Sequence, residues 1–259
     1  MTSNHGVPPA ATSHIIDIVA FARASLGFHP GPDQIAALDP FIRRGLLNCC
    51  RQWGKSTTVA IRAVHQAIHY AGSLTVVASP SERQSAEFVR KAATFVRALG
   101  IHPRGDGDNA ISLAFPNGSR IVGLPGNADT TRGFSSVALL LIDEAARVPD
   151  DLYHSLRPMV AANPDSAIWL MSTPNGCQGF FFEEWSAGGP AWTRIEAPAT
   201  ACPRIPADYL EEERRHLAED KFRQEYLCEF NAADDSYFDP VAIDDAFRSL
   251  PPREPQPTK

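Results

Sequence analysis

Along the chain, short and nearly continuous apolar runs alternate with longer segments whose apolar residues recur every three or four positions. The runs at 45–49, 74–78, 137–142 and 167–171 read as buried strands, and 192–195 as the last strand. Between the first two, residues 55–70 gather Val59, Ala60, Ala63, Val64, Ala67 and Ile68 on one helical face. Ser81 and Gln84 form a capping pattern for the next helix, whose apolar face is Phe88, Val89, Ala92, Phe95, Val96 and Leu99, and Gly100 stops it. Helical spacing also covers 14–26, a short stretch at 33–38, and 150–159, the last bent or ended near Pro158. In 111–124, Ile111, Leu113 and Phe115 alternate with small or polar residues, and Asn117-Gly118 then predicts a hairpin. Strands alternating with helices in this way predict an α/β fold with a mostly parallel central sheet.

The pattern changes after Ala197. Pro198, Pro203 and Pro206 lead into a charged helical stretch at 207–230, and a proline-rich tail at 251–257 reads as disordered. The organisation expected is an N-terminal helical segment (1–26), an α/β core (27–197), a helical lid or linker (198–238) and a tail (239–259). The 259 residues carry a net charge of -6, so no overall positive field attracts nucleic acid, and any DNA contact must come from a local patch. No run approaches the ~18 apolar residues of a membrane span, and the first nine residues do not form a signal peptide. Five cysteines, odd in number and without paired spacings, fit a reducing intracellular setting.

Candidate chemistry sits at the ends of three predicted strands. The first is Cys49-Cys50-Arg51-Gln52-Trp53-Gly54-Lys55-Ser56-Thr57, between a strand and a helix. Its Gly-Lys-Ser suits a phosphate-binding loop, in which backbone N–H groups and a helix N-terminus cradle phosphates. Lys55 would reach the β- and γ-phosphates and Ser56 would hold Mg²⁺. Cys49 stands where the usual pattern has its first glycine. The second is the apolar strand ending in Asp143-Glu144. Asp143 would position Mg²⁺, and Glu144 would orient and deprotonate the attacking water. The third is Ser172-Thr173-Pro174-Asn175-Gly176, whose hydroxyls would lie at the ligand edge of an open α/β sheet.

These features resemble the ATPase domain of the large terminase subunit, the DNA-packaging motor of tailed bacteriophages. The resemblance rests on 51–56, on Leu141-Ile142-Asp143-Glu144-Ala145-Ala146 and on 172–176, and runs from about residue 28 to 238. That family's phosphate loop typically lacks the first glycine and carries an arginine near its start, as Arg51 does here. The resemblance implies a RecA-like P-loop ATPase of the additional-strand, catalytic-glutamate class, using ATP and Mg²⁺. It implies nucleotide contacts from Gln34 (to adenine), Arg51, Gln52, Gly54, Lys55, Ser56, Thr57 and Asp143. It further implies a coupling role for Ser172 and Thr173, and an arginine finger acting across a subunit boundary at Arg132, with Arg51 as the competing finger within its own subunit. The implied partners are double-stranded DNA, a portal protein, a small terminase subunit and further copies in a ring, in the host-cell cytoplasm and away from membranes.

Other signals carry less. His65 and His69 lie one helical turn apart, but Gln66 stands where a zinc-protease pattern has glutamate. Asp106-Gly107-Asp108-Asn109 lacks the closing glutamate of a calcium loop and reads as a turn. The aspartates at 234–245 read as a solvated linker, and nuclease activity is not expected of this chain. A RecA-like helicase or translocase, or a non-hydrolysing remnant that only binds partners, are the alternatives.

Overall fold

The computed structural model describes residues 17–124, 126 and 133–231. Expectations placed on Arg132, on the aspartates at 234–245, on the tail and on residues before 17 lie outside them. Seven strands form one sheet: β1 (Arg44–Cys49), β2 (Leu74–Ala78), β3 (Ser112–Ala114), β4 (Arg120–Gly123), β5 (Leu139–Asp143), β6 (Ala167–Ser172) and β7 (Thr193–Ala197). Their spatial order is β3-β4-β2-β5-β6-β1-β7. All pairings are parallel except β3 with β4. That exception is the hairpin foreseen at Asn117-Gly118, where Gly118 adopts φ +82°. β6 lies between β1 and β5, and is the additional strand that the sequence class requires.

Alternation along the strands divides the core in two. Leu47, Val77, Leu139, Leu141, Trp169 and Met171 point to one face. There they meet α1 (Ile18–Leu26), α3 (Lys55–His69) and α4 (Glu82–Ala98) through Phe21, Val59, Val64 and Phe88. Leu46, Val76, Leu140, Ile142, Ile168 and Leu170 point to the other. That face is covered by α5 (Asp150–Leu156) and α6 (Gly179–Ala187) through Leu152, Tyr153, Phe180 and Phe181. Both faces being covered explains why the strands read as continuous apolar runs. Gly45 is dictated by this packing, since a Cβ there would lie 2.3 Å from the Trp169 ring.

The helix at 150–159 shortens to α5 and continues as a 3-10 turn through Pro158, whose missing N–H cannot extend the α-helical ladder. The stretch at 207–230 is two helices, α7 (Ala207–His216) and α8 (Glu219–Leu227), broken at Leu217 and Ala218. α8 is anchored to the main core through Phe222 and Tyr226. α1 is likewise part of that core, with Phe21 edge-on to His65 and His69. Asp106 closes a turn as expected, accepting from the Asp108 and Asn109 N–H groups and from Ser112 Oγ.

Candidate active site

Parallel register brings the chemistry to one rim. Asn48 pairs with Ser172, and Asp143 with Met171, so the C-terminal ends of β1, β5 and β6 lie side by side. Ligands of open α/β sheets bind at this edge. Between β1 and α3 the chain turns through Gln52 (φ +63°) and Gly54 (φ +96°). Left-handed residues in such a turn aim successive N–H groups into one concavity. A Cβ at Gly54 would also sit tightly, 3.2 Å from Gln34 Nε2, in addition to the strain of its left-handed backbone.

The loop and the acidic strand meet directly. Ser56 Oγ donates to Asp143 Oδ2 at 3.0 Å. The buried Lys55 ammonium donates to the carbonyls of Cys49 (3.3 Å) and Cys50 (3.5 Å), curling back under the loop it follows. Asp143 is 7% exposed, and its Oδ1 accepts the Glu144 N–H at 3.1 Å. Burial, and then the neighbouring charge of Glu144, push the Asp143 carboxyl up to about 6, against the opposing pull of Lys55 and Ser56. A hydroxyl and a carboxylate held together at such a point are hard oxygen donors of the kind Mg²⁺ takes. The donor set therefore fits the ion.

Around this centre lies a cleft of about 460 Å³ lined by Arg51, Gln52, Gly54, Lys55, Ser56, Thr57, Gln84, Lys91, Glu144, Arg147 and Thr173. Glu144 follows β5 in the left-handed conformation (φ +53°), and a 3-10 turn, Ala145–Arg147, brings Arg147 back beneath it. Arg147 Nη1 donates to Glu144 Oε2 and to Thr173 Oγ1, each at 3.1 Å. Its Nη2 donates to Glu225 Oε1 of α8 at 3.3 Å. Arg51 Nε donates to the other oxygen of Glu225 at 2.7 Å. Although burial alone would raise the Glu225 carboxyl, the Arg51 hydrogen bond and the charges of Arg51, Arg147 and Lys221 hold it below the usual glutamate value. The buried Ser172 Oγ has no hydrogen-bond partner among the described residues.

Of the residues foreseen, Arg51, Gln52, Gly54, Lys55, Ser56, Thr57, Glu144 and Thr173 line the cleft, and Asp143 stands just behind its wall. Gln34 lies to one side in a smaller cavity of about 190 Å³ with Trp53 and Arg204. Its Oε1 accepts from the Gly31 N–H at 3.0 Å, and its Nε2 donates to the Trp53 carbonyl at 3.0 Å. Arg204 donates to the same carbonyl. Sequence reasoning passed over Arg147, Glu225, Arg204 and Lys91. Arg147 alone carried a local signal, three residues after Glu144 and so within reach of its carboxylate on a helical turn.

The sheet order and the meeting of loop with acidic strand define a RecA-like α/β fold of the additional-strand class. The family model described as "Terminase large subunit, T4likevirus-type, N-terminal" matches residues 46–242, and the chain belongs to that family. It is 33% identical over 152 residues to the terminase large subunit of Escherichia phage T5, a match covering 55% of this chain and 33% of that protein. The chain thus matches about a third of the length of this curated relative. Its fold is similar to the large terminase ATPase domain of Thermus phage P74-26 (TM-score 0.70, 21% identity, 80% of this chain and 96% of that one). It is also similar to the large terminase of a thermophilic bacteriophage solved in complex with ADP (TM-score 0.67, 12% identity, 78% of this chain and 54% of that one).

Proposed function

We propose that this chain is the ATP-hydrolysing motor domain of a terminase large subunit, coupling hydrolysis to movement of viral double-stranded DNA into a procapsid. The observation that carries the reading is the Ser56–Asp143 hydrogen bond, which closes the phosphate loop onto the acidic strand beside Glu144. Family membership and the terminase likeness support it.

Each residue then has a task. The loop N–H groups, Gly54 among them, hold the phosphates, and Lys55 turns from its resting carbonyls to their charge. Ser56 and Asp143 would hold Mg²⁺, which when bound would supply neutralising charge to the phosphates. Glu144 takes the proton of the attacking water and thereby orients it. Arg132 stabilises, across a subunit boundary, the charge growing on the transferred phosphoryl group, and Arg51, at the cleft wall, senses the nucleotide, with a finger within its own subunit as its alternative role. Ser172 and Thr173, at the end of β6, pass the phosphate state to the lid of α7 and α8. Gln34, next to the loop at Trp53, contacts the adenine. The partners are double-stranded DNA, a portal protein, a small terminase subunit and further copies in a ring, in the host-cell cytoplasm. Among the described residues, no helix is long and apolar enough to cross a membrane.

Turnover of Mg·ATP by the purified chain, with and without double-stranded DNA, tests this directly. Lys55→Ala is expected to lower turnover by about 100-fold or more, the scale of losing a charge-stabilising donor. A Lys55→Ala protein that binds and hydrolyses ATP as the parent does would overturn the reading.

A further inference from the structure

Resting on the ATPase reading above, we propose that Arg147 is a positioning residue for water activation. It fixes the orientation of the Glu144 carboxylate and ties that orientation to the lid through Glu225.

The guanidinium joins three parts of the chain that are remote in sequence. Glu144 lies in the same turn, Thr173 follows β6, and Glu225 belongs to α8. Arginine suits the task because its planar fork is always charged and offers several donors in fixed directions, where a lysine offers a single point charge. Nη1 engages Oε2 of Glu144, which leaves Oε1 of the same carboxylate to accept a proton from water. Without that hold, Glu144 would project into the cleft on a freely rotating side chain. Glu225 is only 4% exposed, while Arg147 and Glu144 are 29% and 30% exposed, so the array is shielded from solvent screening mainly at its Glu225 end.

The third contact gives the array its wider consequence. Glu225 is shared between Arg147 and Arg51, with Lys221 Nζ a further 3.5 Å from its Oε1. The Arg51 N–H also donates to the Glu225 backbone carbonyl at 3.1 Å. A shift of α8 therefore moves the partner of one arginine at the phosphate loop and of another at the water-activating glutamate. Thr173, in the strand-end motif beside both, accepts from the same Nη1. The lid position and the aim of Glu144 become one variable.

Steady-state ATP turnover and fluorescent-ATP binding separate this from a purely structural role. Arg147→Ala is expected to lower kcat roughly 10- to 100-fold with KM and nucleotide affinity within about threefold of the parent, the pattern of a misaligned catalytic group. Arg147→Lys recovers part of that loss. Introduced into Glu144→Gln, Arg147→Ala adds no further loss, because it acts through Glu144. A kcat within about twofold of the parent, an effect confined to KM, or an equal further loss in the Glu144→Gln background would each overturn the proposal. If Arg147→Ala does not fold, Arg147→Gln is judged by the same criteria. Failure of the underlying reading looks different: Glu144→Gln then hydrolyses ATP like the parent, and Arg147 has nothing to act through.

Discussion

Asp143 at the tip of β5 and Glu225 on α8 each stand one side chain behind the wall of the same cleft, in opposite electrostatic states. Both are buried carboxylates. Around Glu225 the chain supplies Arg51, Arg147 and Lys221, and its acidity is strengthened. Around Asp143 it supplies the Lys55 charge, a hydroxyl and an N–H, which do not offset burial and a second acid, and the carboxyl is pushed up to about 6. Glu225 is balanced by cations of the chain itself and ties α8 to the core. Asp143 is not balanced in this way, and in the proposed function the missing charge would come from a cation held jointly with Ser56. The difference teaches that burial alone does not separate a carboxylate balanced by the chain's own cations from one that is not.

Substitution of Asp143 gives the larger effect on which this contrast can break. Its folded pKa of about 6 lies above the ordinary value of 3.8, so ionisation opposes folding, and stability is lost as pH rises from about 4 through 6. Two pKa units are worth roughly 3 kcal/mol, from which the weakening of one hydrogen bond removes about 1. Asp143→Asn is therefore expected to stabilise the nucleotide-free chain by about 2 kcal/mol at pH 7.5 and by little at pH 4, in denaturant melts without Mg²⁺. An equal loss of stability at pH 7.5 would show that Asp143 is a structural acid like Glu225.

The Glu225 substitution is expected to be smaller and opposite in sign. A lowered folded pKa contributes stability above the ordinary glutamate value, and that stability is lost as pH falls through the folded one. Glu225→Gln should destabilise by about 1 kcal/mol at pH 7, since two of its three cationic partners are more than half exposed and screened. The deficit should close on acidification in the same melts. A deficit that persists unchanged well below the ordinary glutamate value would mean that packing, not charge, holds α8 in place.

Much of this architecture was legible before any coordinates. β2 matches its apolar run residue for residue, and α3 and the Asn117-Gly118 hairpin follow from periodicity and turn chemistry. The strand-end motifs were legible because parallel strands put sequence-local signals at a common rim. α6 was missed: Phe180, Phe181 and Phe182 are consecutive, so they show no helical period, and Gly179 precedes them at φ +76°. The 207–230 stretch concealed its break because charged residues run on both sides of Leu217 and Ala218. No local signal marked Glu225. Its partner Arg51 is 174 positions away, and only packing of Phe222 and Tyr226 into the core turns Glu225 inward. Gln34 was singled out by resemblance alone, and its contact with Trp53 spans 19 positions that no local rule connects.

The central claim is that Lys55, Ser56, Asp143 and Glu144 converge on one triphosphate, with Glu144 as the base. Its most direct test is a paired measurement of Mg·ATP affinity and turnover in Glu144→Gln. The account expects affinity within about threefold of the parent and turnover at least roughly 100-fold lower, the signature of removing a proton acceptor used only in the transition state. Turnover within about tenfold of the parent would contradict it.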